Sequence, residues 1–232
     1  MAENLETQFK AVQKQIKSMQ HEIERLQAYI EIQNLVGKYE VIHTPSTERQ
    51  SPQLFALKQP DVSVEIAMWG KFVGADHVRK MYHEADEGKP MPGSMFEHDL
   101  CTPIIQVAAD GKTAKGLWFS PGHETYTGET NPNPNGKLTA HWNWGKFAAD
   151  FIKEDGKWKI WHYRWYDTFM APYNKSWVDT PQPPMDFVME MPGGNKPDVP
   201  TKTRSTYFKD QVRKPVPEYP EPYETWDGKS IC

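Results

Sequence analysis

One stretch of the chain decides the fold: Asp155-Gly-Lys-Trp-Lys-Ile-Trp-His-Tyr-Arg-Trp-Tyr166. An Asp-Gly pair is a strong signal for a two-residue hairpin turn, and the aromatic and β-branched residues after it predict a strand. The run 146–153 before the turn predicts the partner strand. The stretch therefore predicts an antiparallel hairpin that carries His162 and Arg164 among large aromatic side chains.

The pairing within this hairpin decides which side chains face the interior. With a two-residue turn, Phe147 lies opposite Arg164 and directly opposed residues share a face. Ala149 then lies opposite His162. Because that face is apolar on the first strand, we expect it to be the interior and to carry His162 and Arg164 inward. A loop one residue longer would reverse this assignment.

Composition bounds the class of protein. The chain has 232 residues, 38% of them hydrophobic, and a net charge of −4, which predicts one domain with two extensions and no basic stripe for nucleic acid. No apolar run approaches the roughly 18 residues of a membrane span. Two cysteines, Cys101 and Cys232, cannot build a disulfide framework, and the N-terminus has no apolar signal region. We therefore expect a soluble, cytoplasmic protein without a nucleic-acid or membrane partner.

Residues 1–30 carry a heptad repeat of apolar side chains. The a positions are Phe9, Ile16, Ile23 and Ile30, and the d positions are Leu5, Val12, Met19 and Leu26. Ile-like residues at a with Leu-like residues at d favour two parallel helices. The flanking e and g positions are mostly Gln, so no charged side chains there select a different partner. We predict a homo-oligomer, a dimer or trimer, formed through this helix and the C-terminal arm. The alternative is a single amphipathic helix that lies on its own domain.

Residues 31–177 predict a single α+β domain. The first helix continues past Ile30 in a new apolar register, a short strand is expected at 62–68, and a small helix at 74–84. Four longer strands are predicted at 96–107, 114–126, 138–151 and 157–169, with hairpin turns at Asp110-Gly111 and Asp155-Gly156. This order predicts a curved, mostly antiparallel sheet with helices on one side.

Residues 178–232 are rich in proline, since half of the chain's 20 prolines lie in this last quarter. Proline lacks a backbone donor, so we expect little regular structure here. The segment also keeps Phe187, Tyr207, Tyr223 and Trp226, which are too many large apolar groups for a purely solvated tail. An extended arm is predicted, wrapped over its own domain or over a neighbour.

Three features of the domain match a known family: Tyr39 on the first long helix, His98 at the start of a long strand, and Asp155-Gly-Lys-Trp-Lys-Ile160 in the last hairpin. Through them, residues 28–173 resemble the SnoaL-like branch of the nuclear transport factor 2 superfamily. The resemblance implies a conical α+β barrel whose curved sheet wraps on helices around a deep apolar pocket. Enzymes of this kind include scytalone dehydratase, bile acid dehydratase, polyketide cyclases and steroid isomerases, and related cofactor-free lyases act on lignin-derived diaryl compounds.

The resemblance also implies a set of catalytic residues. In scytalone dehydratase a helix tyrosine and two strand histidines surround the reacting atoms, and Tyr39, His98 and His123 stand at matching places. Bile acid dehydratase places a carboxylate just after the helix tyrosine, where this chain reads Val41-Ile-His-Thr44, so His43 is expected to take over part of that role. An imidazole with an ordinary pKa of about 6.5 suits a general base, which is the role expected of His98.

The other candidate residues have a functional and a structural interpretation. An inward Arg164 would be costly to bury without an anion, so it would bind an oxyanion, carboxylate or phenolate. Its alternative is an ion pair with a carboxylate such as Glu97, Asp99 or Asp150. His162 would extend the proton network or remain a core histidine. Tyr39 would polarise a substrate oxygen or pack in the core.

Four aromatic side chains complete the predicted substrate pocket: Trp118, Trp142, Trp144 and Phe169. Their flat faces would suit an aromatic or polycyclic ligand, and each one alone could equally belong to the core. The sequence contains no recognised metal-ligand spacing, no glycine-rich phosphate loop and no nucleophile elbow. We therefore expect neither a metal nor a cofactor.

These features predict a cofactor-independent lyase. It would be a dehydratase, or carry out a related elimination that includes deformylation, on a hydrophobic aromatic or polycyclic small molecule by acid–base chemistry. The alternatives are a non-catalytic small-molecule-binding protein and an isomerase or cyclase that uses the same pocket, because one fold hosts many functions.

Overall fold

The computed structural model describes residues 2–84, 92–126, 137–184, 187, 196–201 and 204–232. Its elements in chain order are α1 (Ala2–Ile42), a 3-10 helix (Glu48–Leu54), β1 (Ser63–Ile66), β2 (Gly70–Val73), α2 (Ala75–Met81), β3 (Met95–His98), β4 (Cys101–Val107), β5 (Thr113–Ser120), β6 (Gly122–Tyr126), β7 (Thr139–Glu154) and β8 (Lys157–Pro172). The predicted α+β class is confirmed. No described helix has the length and apolar composition of a membrane span.

The eight described strands form one curved sheet that is not closed into a complete barrel. Its strand order is β2-β1-β8-β7-β5-β4, and β6 links β7 to β3. The pairings among these strands are antiparallel except that of β1 with β8. The inner face of the sheet packs on the C-terminal half of α1, where Ile32 and Val36 are fully buried.

Both turn signals lie where hairpins form. Asp155 and Gly156 connect β7 to β8 and have φ values of 51° and 74°, and positive φ at both central residues is what a type I′ turn requires. Asp110 and Gly111 lie between β4 and β5. The predicted run 114–126 is divided at Pro121 into β5, which pairs with β4, and β6, which pairs with β3.

A β-bulge changes which residues of β8 face inward. Phe151 lies opposite Ile160 as predicted, but its neighbour Asp150 lies opposite His162, so that Trp161 is the extra residue on β8. From His162 to Asp167 the side chains of β8 are therefore shifted by one position, until a second irregularity at Thr168 changes the register again. The predicted pairing of Ala149 with His162 is wrong for this reason.

The shift brings Tyr163 and Trp165 to the inner face in place of His162 and Arg164. Phe147 is paired with Trp165, not with Arg164 as predicted. The ring of Tyr163 lies 4.5 Å from that of Phe147, centroid to centroid, and both belong to the buried core. The predicted inward position of Arg164 is wrong because the bulge reverses the parity of the strand.

The outer face of β7 and β8 is covered by the end of the chain. The described residues 204–232 contain no helix or strand, but they make specific contacts with the domain. The ring of Trp226 lies 4.8 Å from that of Trp161, and the backbone N–H of Ile231 donates to Asp150 over 3.2 Å. Arg204 forms an ion pair with Asp167 at the other end of β8.

Candidate functional site

A group of buried and half-buried polar side chains lies on the inner face, where β3, β6 and β7 meet α1. We call it the His98 cluster, and its members are Glu40, His43, His98, Glu124 and Asn143. Glu40 lies in the last turn of α1, His43 directly follows the helix, His98 ends β3, Glu124 lies on β6 and Asn143 on β7.

Glu124 holds His98 in place. Its Oε1 lies 2.9 Å from Nε2 of His98, and because a carboxylate only accepts hydrogen bonds, Nε2 carries the proton and donates. Nδ2 of Asn143 donates to the same oxygen over 2.7 Å, and the Tyr126 hydroxyl donates to the other oxygen. The imidazole is thus anchored at Nε2, which leaves Nδ1 as the nitrogen available to a ligand.

The break between β5 and β6 makes room for His98. Gly122 lies directly opposite His98 in the sheet, and a Cβ at position 122 would lie 2.4 Å from Nδ1 of His98 and 2.6 Å from the carbonyl oxygen of Asn143. A side chain at this position would displace the imidazole or the backbone. Only glycine is compatible with this close approach.

Burial and neighbouring charges set the protonation of the cluster. Burial raises the pKa of Glu40 to about 8, although the charge of His98 opposes this. Burial, together with the charge of His98, lowers the pKa of His43 to about 3. Burial also acts to lower the pKa of His98, but the hydrogen bond and charge of Glu124 outweigh it, so the pKa of His98 is raised. Near neutral pH, Glu40 is thus a protonated acid and His43 an uncharged imidazole.

Four of the buried polar atoms that lack a hydrogen-bond partner in the described part of the chain belong to this cluster. They are Oε2 of Glu40, Nδ1 of His43, Nδ1 of His98 and Oδ1 of Asn143. Buried polar atoms are rarely left unpaired in native proteins, so their concentration in one place indicates a position for a ligand or for ordered water. Among the described residues, no group of three or more His, Cys, Asp or Glu side chains is arranged to hold a metal ion.

A recess of about 290 Å³ lies beside the cluster. It is lined by Thr44, Pro45, Ser46, Ser94, Met95 and Phe96. The ring of Phe96 lies 6.3 Å from that of His43 and 6.0 Å from that of Tyr126. The indole of Trp165 meets His98 edge to face at 5.9 Å. Aromatic side chains therefore contact the polar group at both His43 and His98.

Three of the candidate residues lie together in this region. His43 lies 5.8 Å from His98 between ring centroids, and the ring of Tyr39 stacks on His43 at 5.5 Å. The hydroxyl of Tyr39 is bonded to that of Tyr82 over 2.8 Å. Tyr39 is therefore connected to His98 through His43, and its own hydroxyl is already engaged in the core.

His123 lies on the opposite face of β6 from the cluster. Successive side chains of a strand alternate between faces, and the neighbouring Glu124 points inward. His123 lies directly opposite Trp142 in the sheet, with ring centroids 5.0 Å apart. Trp142 in turn stacks on Tyr173, whose side chain is exposed.

Trp144 and Phe169 also lie away from the cluster, and Trp118 is deep in the core. Trp144 stacks on Phe169 at 5.7 Å on the same outer face as Trp142. Trp118 is fully buried, donates from Nε1 to Gln33 over 3.3 Å, and meets Phe147 edge to face. None of these three indole or phenyl rings is brought to His98.

The two ionisable candidates of β8, His162 and Arg164, have partners on the outer face. His162 lies 2.8 Å from Asp150 through Nδ1. Arg164 forms an ion pair with Glu65 at 3.3 Å, and its guanidinium lies over the ring of Tyr166. Arg164 is thus paired with a carboxylate, as its structural interpretation expected, and this carboxylate is Glu65 of β1.

Sequence reasoning missed Glu40, Glu124 and Asn143. Glu40 had a usable signal, because it follows Tyr39 directly and precedes His43 by three residues, which places it beside His43 on the helix surface. Glu124 and Asn143 had none, because their proximity to His98 depends on the pairing of β3, β6 and β7.

Comparisons with known proteins agree with this architecture. A family model described as a SnoaL-like domain matches residues 24–164. A candidate scytalone dehydratase from Novosphingobium aromaticivorans DSM 12444 has 18% identity and a TM-score of 0.50, over 66% of this chain and 92% of that one. A type 2 hexachlorocyclohexane dehydrochlorinase (LinA) has 14% identity and a TM-score of 0.51, over 65% and 92%. At these identities the likeness concerns the fold. No curated protein sequence matches the chain.

Proposed function

The chain belongs to the SnoaL-like family of the nuclear transport factor 2 superfamily, and on that premise we propose that it is a cofactor-independent lyase, a dehydratase or an enzyme of related elimination chemistry, acting on a hydrophobic aromatic small molecule. One observation carries the proposal. His98, which Glu124 anchors, and Glu40, whose pKa burial raises to about 8, belong to the same cluster, and each has a buried polar atom without a hydrogen-bond partner.

His98 and Glu40 supply the base and the acid that an elimination needs. In its neutral form, His98 accepts a proton at Nδ1 from a substrate carbon, and Glu124 stabilises the resulting imidazolium through Nε2. The electron pair of the broken C–H bond forms the new double bond, while the bond to the leaving oxygen breaks. Glu40 donates its proton to that oxygen, which leaves as water.

Other side chains in and beside the cluster orient the substrate without transferring a proton. His43, uncharged at neutral pH, offers Nδ1 to a polar group of the substrate, and Tyr39 stacks on its ring and limits its motion. Tyr39 is therefore a positioning residue in this proposal. His123, His162 and Arg164 take no part, since they lie on the outer face of the sheet.

The rings around the cluster support an aromatic substrate. Phe96 borders the recess, and the indole of Trp165 packs edge to face against His98. Ligand sites of this kind combine apolar walls with a few polar groups that fix orientation. The two similar structures are a candidate scytalone dehydratase and a dehydrochlorinase, and because dehydration and dehydrochlorination are both eliminations, this agrees with the proposed class of reaction.

The proposal is tested by incubating the purified chain with a panel of aryl compounds that carry a hydroxyl group β to an acidic C–H, and by following loss of water by mass spectrometry. We expect turnover that falls about 10²–10⁴-fold in His98→Ala, since a positioned general base contributes this much. His123→Ala is the matched control, because it removes the same side chain from the other face, and it should keep the wild-type rate.

Two results would count against this function. Equal turnover by wild type and His98→Ala would remove His98 from the chemistry. Retention of aromatic compounds by the wild-type chain without any product would instead identify a small-molecule-binding protein that uses the same recess.

A further inference from the structure

The N-terminal part of α1 exposes a continuous stripe of large apolar side chains. We call it the heptad stripe; it consists of Leu5, Phe9, Val12, Ile16, Met19, Ile23, Leu26 and Ile30. Each of these side chains is between 48% and 71% exposed in the single chain. A soluble protein rarely leaves so many aligned apolar groups in water unless they meet a partner.

The heptad stripe lies on the side of α1 that faces away from its own domain. The helix contacts the domain through His21, which binds the carbonyl oxygen of Ala109, and through Arg25, which donates to that of Val107 over 3.1 Å. Ala28 and Ile32 continue this docking side and are buried. Successive residues of a helix are about 100° apart, so a residue two positions from the heptad stripe points about 200° away from it.

This geometry separates two sets of residues on one helix. Ile23 and Leu26 belong to the heptad stripe, and Arg25 and Ala28, two positions later in each case, belong to the docking side. Packing of the helix on its own domain therefore accounts for the docking side only. It leaves the heptad stripe uncovered along its whole length.

The spacing of the heptad stripe fits a second α-helix. Its apolar residues recur every 3.5 residues over more than three heptads, which is the repeat of a left-handed coiled coil. In a parallel pair the g position of one helix faces the e position five residues further along the other helix. Here these pairs are Gln8 with Gln13, Gln15 with Gln20, and Glu22 with Gln27. No like charges meet, so two identical helices are compatible.

The exposed area is sufficient for a stable contact. Two copies of the heptad stripe expose on the order of 1,500 Å², close to the roughly 1,600 Å² of a standard specific interface. The a positions carry Ile at three of four places, and Leu or Met fills three of the four d positions. This distribution favours two parallel strands over three or four.

We propose that residues 5–30 form a parallel, two-stranded coiled coil with a second copy of this chain. Each SnoaL-like domain then lies on the outside of its own helix at the same end of the coiled coil. The His98 cluster, which faces the last turns of α1 and not the heptad stripe, is left open to substrate in both copies.

The proposal is tested by the molar mass of the full chain in solution, measured by light scattering or sedimentation. We expect twice the 26.8 kDa of one chain for the wild type, and a monomer for Ile16→Lys/Ile23→Lys, which places two charges in the heptad stripe. Ala11→Lys/Ser18→Lys is the matched control, since it adds the same charge at exposed positions outside the stripe and should remain dimeric.

Orientation is tested by cross-linking. In a Cys101→Ser background, a cysteine in place of Leu5 lies beside its counterpart only if the two helices are parallel, so oxidation should give a disulfide-linked dimer. A cysteine in place of Lys14, which points away from the stripe, should not cross-link efficiently. A monomeric wild type, a trimer, a dimer that survives Ile16→Lys/Ile23→Lys, or an absence of the Leu5→Cys cross-link would each overturn the proposal.

Discussion

At the scale of single residues, Glu40 and His98 set the expected pH dependence of catalysis. The base must be neutral, so kcat/KM should rise as pH increases through the raised pKa of His98, above 6.5. The acid must be protonated, so the rate should fall again as Glu40 ionises near its pKa of about 8. The profile is therefore a narrow bell, and because the two groups interact, its two apparent pKa values belong to the pair.

Replacement of Glu40 should remove the decline of the rate at high pH. In Glu40→Gln the side chain keeps its shape but has no acidic proton to lose, so the decline near pH 8 should disappear and kcat should fall about 10²–10⁴-fold. Rate profiles between pH 5 and pH 10 for both proteins check this. If the decline persists unchanged in Glu40→Gln, another group titrates there and Glu40 is not the acid.

Gly122 should prove more important for function than its lack of a side chain suggests. A Cβ at this position would lie 2.4 Å from Nδ1 of His98, so Gly122→Ala must displace the imidazole or the strand. We expect a loss of about 1–3 kcal/mol in the free energy of unfolding from overpacking. We also expect a drop of about 10²-fold in kcat, because the reacting nitrogen is misplaced.

Gly37→Ala provides the control for this experiment. Gly37 lies within α1, and a Cβ there would meet no atom within 4 Å, so the substitution should stabilise the helix by about 0.5–1 kcal/mol and leave the rate unchanged. Urea unfolding and steady-state kinetics of both variants separate the two effects. Wild-type kinetics in Gly122→Ala would show that the position of the His98 ring does not limit the reaction.

At the scale of elements, the end of the chain acts as a cover on the outer face of the sheet. Asp150 is fully buried and accepts hydrogen bonds from the Ser230 hydroxyl and from the backbone N–H of Ile231. The same carboxylate pairs with His162. Residues 228–232 thus supply hydrogen-bond donors to the buried carboxylate of Asp150, in addition to the contact with His162 from the sheet.

Removal of residues 228–232 should destabilise the domain without changing the chemistry. Hydrogen bonds to a charged group contribute about 1.5–3 kcal/mol each, so we expect the free energy of unfolding to fall by at least that amount. Turnover per folded molecule should persist, because the His98 cluster lies on the other face. Lys229→Ala, whose side chain is 84% exposed, should change stability by less than about 0.5 kcal/mol. Equal urea midpoints for the truncated and full chains would contradict this role.

The β-bulge at Trp161 shows how one residue determines the role of an element. Without it, Arg164 and His162 would be buried in the core, where Tyr163 and Trp165 now pack. Because of the bulge, His162 and Arg164 contact carboxylates on the outer face, and the rings of Tyr163 and Trp165 pack in the core. Its position cannot be seen in the alternation of residue types, because both faces of this strand are aromatic.

At the scale of the whole molecule, the sheet separates two environments. The inner face holds the His98 cluster and the aromatic core against the second half of α1, while the outer face is covered by the end of the chain and carries an aromatic patch around Trp142 and Trp144. The first half of α1 belongs to neither environment. Its heptad stripe is the surface that we propose meets a second copy of the chain.

The amino-acid sequence was enough to predict the long first helix, the two Asp-Gly hairpins, the α+β class and the family, although it placed the run 114–126 in one strand. It also indicated Tyr39, His43 and His98, because each of these features depends on local preference or on helical spacing. Only the tertiary structure decided that Glu124 and Glu40 accompany His98, that His123 faces away, and that Arg164 is paired with Glu65. Those outcomes depend on strand register and on one bulge, which are set by packing between residues that lie far apart in the chain.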